Sequence, residues 1–141
     1  MTIKTSLAKK RIATLWLVLS GLLILIFLIF TFTDKFENKN QQAWGWMLSC
    51  IMPTLSLMFS IFMFDVKSVD SDNKEVDRFY YRITFGLSIA YLSLIFANIF
   101  ICPFIEKSLM EMMTESNIVL APFQGLVSAS VGLFFYKKDQ K

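Results

Sequence analysis

Apolar residues gather in four long blocks with short polar segments between them. The blocks are Ile12–Phe32, Ala43–Phe64, Phe79–Pro103 and Ile118–Tyr136, and Arg82 is the only charged residue inside any of them. Each block is close to the ~20 residues that a helix needs to cross a hydrocarbon core. In lipid every backbone polar group must be satisfied within the protein, so a spanning block is read as a helix. Barrel strands would show short segments alternating with period two, and none appear. The pattern therefore predicts an all-α membrane protein of four transmembrane helices in a single domain, residues 1–141.

Between the third and fourth blocks, Phe104–Asn117 has a different period. Ile105, Leu109, Met112 and Met113 recur at helical spacing, with Lys107, Glu111 and Glu115 on another face. This pattern predicts a short amphipathic helix between the last two spans, lying on the membrane or against its own subunit. The segment Asp65–Arg78, DVKSVDSDNKEVDR, is polar without an apolar period and reads as a solvated linker or a docking patch.

Polar residues inside the blocks are also organised. Positions three or four apart share a helix face. Ser49, Pro53, Ser56 and Ser60 form one stripe in the second span, and Thr84, Ser88, Tyr91, Asn98 and Cys102 another in the third, broken by Ile95. In the fourth span Gln124 and Ser128 lead to Val131 or Gly132, and Ala121, Gly125 and Ala129 form a ladder of small residues. The first span has no comparable stripe, and its GLLILIFLIF core predicts the helix most turned toward lipid. Small and hydroxyl residues suit close helix packing. A lining of hydroxyls and amides equally suits a wet path, within one subunit or at the axis of an oligomer. Gln124 and Asn98 favour the path, because an amide has several groups to satisfy, and both lie toward the outer ends of their spans. The expected site is thus Ser49, Pro53, Ser56, Ser60, Ser88, Asn98, Gln124 and Ser128, with Ala121, Gly125 and Ala129 as packing positions. Within it, Pro53 frees the carbonyl of Ser49 and kinks the helix. Pro103 and Pro122 are read as span boundaries.

Composition sharpens the membrane reading. Of 141 residues, 55% are apolar and only 18% charged, against about 25% charged in soluble domains. The first block follows Lys9, Lys10 and Arg11, as a signal peptide would, but it exceeds the usual 7–15-residue signal core and no small-x-small cleavage site follows. Eleven basic residues fall in the N-terminal arm, around Asp65–Arg82 and in the tail, while only Lys35, Lys39 and Lys107 fall on the other side. By the positive-inside bias both termini are cytoplasmic, in a cell inner membrane. Trp44, Trp46, Phe79–Tyr81 and Phe134–Tyr136 are expected as interfacial anchors. The net charge of +3 is an orientation signal and predicts no nucleic-acid partner.

Site chemistry is sparse. There is no histidine and no acidic residue within a span, which argues against proton-coupled transport. Small multidrug transporters depend on a glutamate in their first helix, and none is present here. Cys50 and Cys102 stand apart and read as small apolar fillers rather than a redox pair. No phosphate loop, metal cluster or nucleophile–base pair is found, so neither an enzyme nor a cofactor is expected. In its short loops, near-absence of soluble mass and Phe/Ile/Asn/Lys-rich composition, the whole chain resembles the small four-helix membrane components of bacterial antiphage defence systems. That resemblance implies a membrane-permeabilising effector, or a sensor subunit signalling to a soluble cytoplasmic protein. The expected function is an oligomeric membrane protein that forms or gates an ion-conduction path. The alternative is a non-conducting anchor for a soluble partner.

Overall fold

The computed structural model describes residues 2–65 and 75–136. Lys67, Lys74, Lys137, Lys138, Lys141 and most of the Asp65–Arg78 segment lie outside the described residues. Four helices account for nearly all of the rest: α1 (Thr5–Phe32), α2 (Asn40–Asp65), α3 (Arg78–Ile101) and α4 (Leu109–Tyr136). All four are long and apolar enough to cross a membrane, and the chain is an all-α membrane protein.

The helices run further than the apolar blocks. Hydropathy marks the greasy centre of a helix, whereas backbone hydrogen bonds continue into polar sequence. Thus α1 begins at Thr5 and takes in Lys9, Lys10 and Arg11. The amphipathic stretch likewise forms no helix of its own, because residues from Leu109 onward are the first turns of α4. Pro122 consequently sits inside α4, while Pro103 does mark a boundary, in a 3-10 turn at Cys102–Phe104. The start of α4 is a capping box. Glu111 N donates to Ser108 Oγ at 3.2 Å, and Ser108 N donates to a Glu111 carboxylate oxygen at 3.3 Å. Lys107 then pairs with Glu115 at 2.7 Å on the exposed surface of the protein.

At the end carrying the chain termini, a short ribbon forms where the sequence pattern showed none. β1 (Thr2–Lys4) pairs antiparallel with β2 (Glu75–Asp77), Ile3 facing Val76. Asp77 then caps α3, accepting the Phe79 N–H at 3.0 Å. At the opposite end the chain turns between α1 and α2 through Asp34, Glu37 and Asn38, all with positive φ. Phe36 is buried there against Phe27 and Phe30.

Both α2 and α3 pack along α4, and α1 closes the bundle through large side chains. Its apolar window is 33% buried, the same share as in α2, so α1 is not the helix most given over to lipid. Trp16 and Phe27 of α1 are fully buried, Trp16 stacking on Tyr91 at 6.1 Å. Several aromatics expected at the membrane interface are core residues instead. Trp46 stacks on Phe27 at 6.4 Å, Phe135 packs on Phe62 at 5.5 Å, and Tyr81 lies beside Phe134. Trp44 is half-buried and donates its indole N–H to Thr31 Oγ1 at 2.9 Å. Lipid is as apolar as leucine, so these rings add close packing and hydrogen bonds more than transfer energy.

Candidate functional site: the Pro53 kink and its seam

Pro53 lacks a backbone N–H, so the Ser49 carbonyl, one turn earlier, loses its helical donor. In a bilayer an oxygen left alone costs several kcal/mol. The donor arrives from α4. Gln124 Nε2 donates to the Ser49 carbonyl at 2.7 Å and to the Cys50 carbonyl at 3.0 Å. The Tyr91 hydroxyl of α3 donates to the same Cys50 carbonyl at 2.9 Å. Three helices therefore meet at one broken turn.

The seam between α2 and α4 continues toward the termini. Thr54 and Ser128 share a hydroxyl–hydroxyl bond of 2.9 Å. One turn on, Leu57 reaches within 3.2 Å of where a β-carbon on Gly132 would stand. On the other side of α4, Thr84 and Ser130 form a matching pair at 2.9 Å. Thr54, Thr84 and Ser88 are buried, and the Ser88 hydroxyl has no partner among the described residues.

The residues singled out from the sequence thus divide into two groups. Gln124, Ser128 and Ser88 turn into the bundle or its seam. Pro53, Ser56 and Ser60 face away from the subunit, as do Ala121, Gly125 and Ala129, while Ser49 is exposed at the edge of the α2–α4 seam. No β-carbon contact within 4 Å awaits a side chain at Gly125, so the small-residue ladder does not pack within this subunit. Ser49 and Ser60 bond back to their own helix, to the carbonyls of Trp46 at 2.7 Å and Ser56 at 2.8 Å. Asn98 does the same, donating to the Leu94 carbonyl at 2.8 Å. Asn98 and Gln124, the two amides expected on the path, therefore do not meet. The short Asn98 side chain reaches its own preceding turn, while Gln124 finds carbonyls that the proline has made available. Nor does a wet cavity bring Gln124, Ser128, Ser56 and Asn98 together, because Ser56 is outward and Thr54 takes its place at the seam.

Thr54 and Ser130 are the seam residues the polar stripes did not pick out, while Thr84 lay on the stripe of the third span but outside the expected site. The signal of Thr54 and Ser130 was present as two further hydroxyls in the same spans, but each lay off the stripe chosen. Two polar atoms remain unpaired on the outward side of the seam: Gln124 Oε1 and Ser56 Oγ make no hydrogen bond among the described residues.

At the end away from the termini, the seam opens into a groove of about 460 Å³. It is lined by Gln42, Gly45, Trp46 and Ser49 of α2 and by Met110, Met113, Thr114 and Asn117 of α4. Cys50 is buried and Cys102 half-buried, both as free thiols. Among the described residues no three His, Cys, Asp or Glu side chains gather into a metal-binding group. Compared with protein-family models, with curated proteins and with solved structures, the chain matches none.

Proposed function

We propose that this protein works in the membrane as an oligomer that forms or gates an ion-conduction path, with α2 turned toward the path. One observation carries the reading: the row Pro53, Ser56 and Ser60 faces away from its own subunit. Beside it stand the unpaired Gln124 Oε1 and Ser56 Oγ and the open ladder Ala121, Gly125 and Ala129. Lipid offers these groups no donor, whereas a neighbouring subunit or a water-filled axis does. Inside the subunit Thr54 pairs with Ser128, Thr84 with Ser130 and the Gln124 amide N–H with carbonyls of α2, which favours a path between subunits over one through a single subunit. The Pro53 turn, held by side chains of two other helices in place of a backbone bond, is the natural hinge for gating. Both termini lie in the cytoplasm of an inner membrane, following the basic residues. Permeabilising the membrane as a defence effector is the physiological role the architecture suits.

The test is native mass measurement in mild detergent, alongside ion flux in liposomes. Several subunits per particle and measurable flux are expected. Ser56→Leu should strongly reduce flux by dewetting the path, while subunit stability stays nearly unchanged because the side chain is outward. A single-chain particle without flux refutes the reading. It would leave the anchor reading, whose specific support is the β1–β2 ribbon. That ribbon ties the N-terminal arm to the end of the Asp65–Arg78 segment as one folded patch.

A further inference from the structure

The groove between the first turns of α2 and α4 has a lining that fits a small molecule. Its volume of about 460 Å³ falls within the ~300–1,000 Å³ range of ligand sites. Trp46 and the buried Met113 form an apolar floor, with Met110 as an adaptable wall. Four polar side chains surround it, and their hydrogen-bonding capacity differs. The Ser49 and Thr114 hydroxyls donate to their own helices, so their oxygens remain as acceptors. The side-chain amides of Gln42 and Asn117 make no hydrogen bond among the described residues, so each offers two N–H donors and an acceptor.

No charged residue lines the groove. The nearby acids are engaged elsewhere, Glu115 with Lys107 and Glu111 with the Ser108 cap. A phosphate or ammonium would therefore lose hydration without gaining a countercharge. Hydroxyl groups, which donate and accept at once, complement this mixture of amides and acceptor oxygens. The groove lies in the first turns of α2 and α4, where Gln41, Gln42, Glu111 and Glu115 interrupt the apolar run, a composition suited to headgroups more than to acyl chains. We propose that it binds the uncharged, hydroxyl-bearing headgroup of an amphiphile in the adjoining leaflet, a glycerol-type headgroup being the simplest case. Binding there touches the kink directly, because Ser49 lines the groove and its carbonyl is the one Gln124 holds. The site stands on its lining alone and is independent of whether the oligomer conducts.

The test uses the full chain in nanodiscs with a monoacylglycerol carrying a diazirine beside its glycerol. After irradiation, adducts are expected on the 42–49 and 110–117 peptides. Excess unlabelled monoacylglycerol should remove them, and equal excess of phosphatidylglycerol should not. Gly45→Leu fills the groove from a position with no β-carbon contact within 4 Å, and should abolish labelling while thermal stability is retained. Should Gly45→Leu fail to fold, Asn117→Leu decides, since loss of the amide should weaken labelling severalfold. Adducts scattered over the outward helix faces, equal competition by phosphatidylglycerol, or full labelling of the folded variants would overturn the proposal.

Discussion

Gln124 shows how one side chain can stand in for a backbone bond. Its amide donates to the Ser49 carbonyl that Pro53 has freed, and shares the Cys50 carbonyl with Tyr91. Gln124→Leu should therefore cost the subunit about 1–3 kcal/mol, the penalty of an unmet buried acceptor. The partner of that effect is the proline. Pro53→Ala returns an N–H to the helix, so in that background Gln124→Leu should cost about 1 kcal/mol less, a coupling well above additive scatter. Thermal unfolding in detergent of the four proteins measures it, and equal costs in both backgrounds would show that the amide does not serve the kink. Tyr91→Phe should cost less, about 0.5–1.5 kcal/mol, because the Cys50 carbonyl keeps its second donor.

At the scale of the helix, two glycines of α4 separate inside from outside. They are seven residues apart in sequence and indistinguishable by type. A β-carbon on Gly132 would stand 3.2 Å from Leu57, whereas one on Gly125 would meet nothing within 4 Å. Gly132→Leu should push α2 from α4 and cost about 1–3 kcal/mol of subunit stability, as overpacking does. Gly125→Leu should leave stability within about 0.5 kcal/mol, as at open surface sites. If subunits meet on this face, it should also lower the oligomer's size by native mass. An unchanged oligomer would mean that the ladder Ala121, Gly125, Ala129 faces lipid.

For the whole molecule, the prediction concerns threading. The β1–β2 ribbon brings Thr2–Lys4 and Glu75–Asp77 to one end, and the 33–39 and 105–108 turns lie at the other. With Cys50 and Cys102 replaced by alanine, Lys39→Cys and Ile105→Cys should react with a membrane-impermeant thiol reagent added outside the inner membrane. Lys10→Cys should react only after permeabilisation. The reverse pattern would invert the orientation derived from the basic residues.

The number and rough position of the helices were legible in the chain itself, because blocks almost free of charge leave few other structures possible in lipid. Their ends were less legible. Helical hydrogen bonding continues through Lys9–Arg11 and through Leu109–Asn117, where hydropathy falls away. The start of α4 was nonetheless written in sequence, as the Ser108–Glu111 capping box. The consequence of Pro53 for the Ser49 carbonyl also followed from local chemistry. What only the tertiary structure decided is direction. A helical stripe states which residues share a face, and not whether that face looks inward. Serine and asparagine can bond to their own preceding turn, as Ser49, Ser60 and Asn98 do, so their polarity does not require a neighbour. Glutamine is longer, and Gln124 reaches across to another helix 75 residues away in sequence. That contact depends on how α2 and α4 are rotated against each other, a quantity set by the packing of Leu57 on Gly132, Thr54 on Ser128 and Phe62 on Phe135 together.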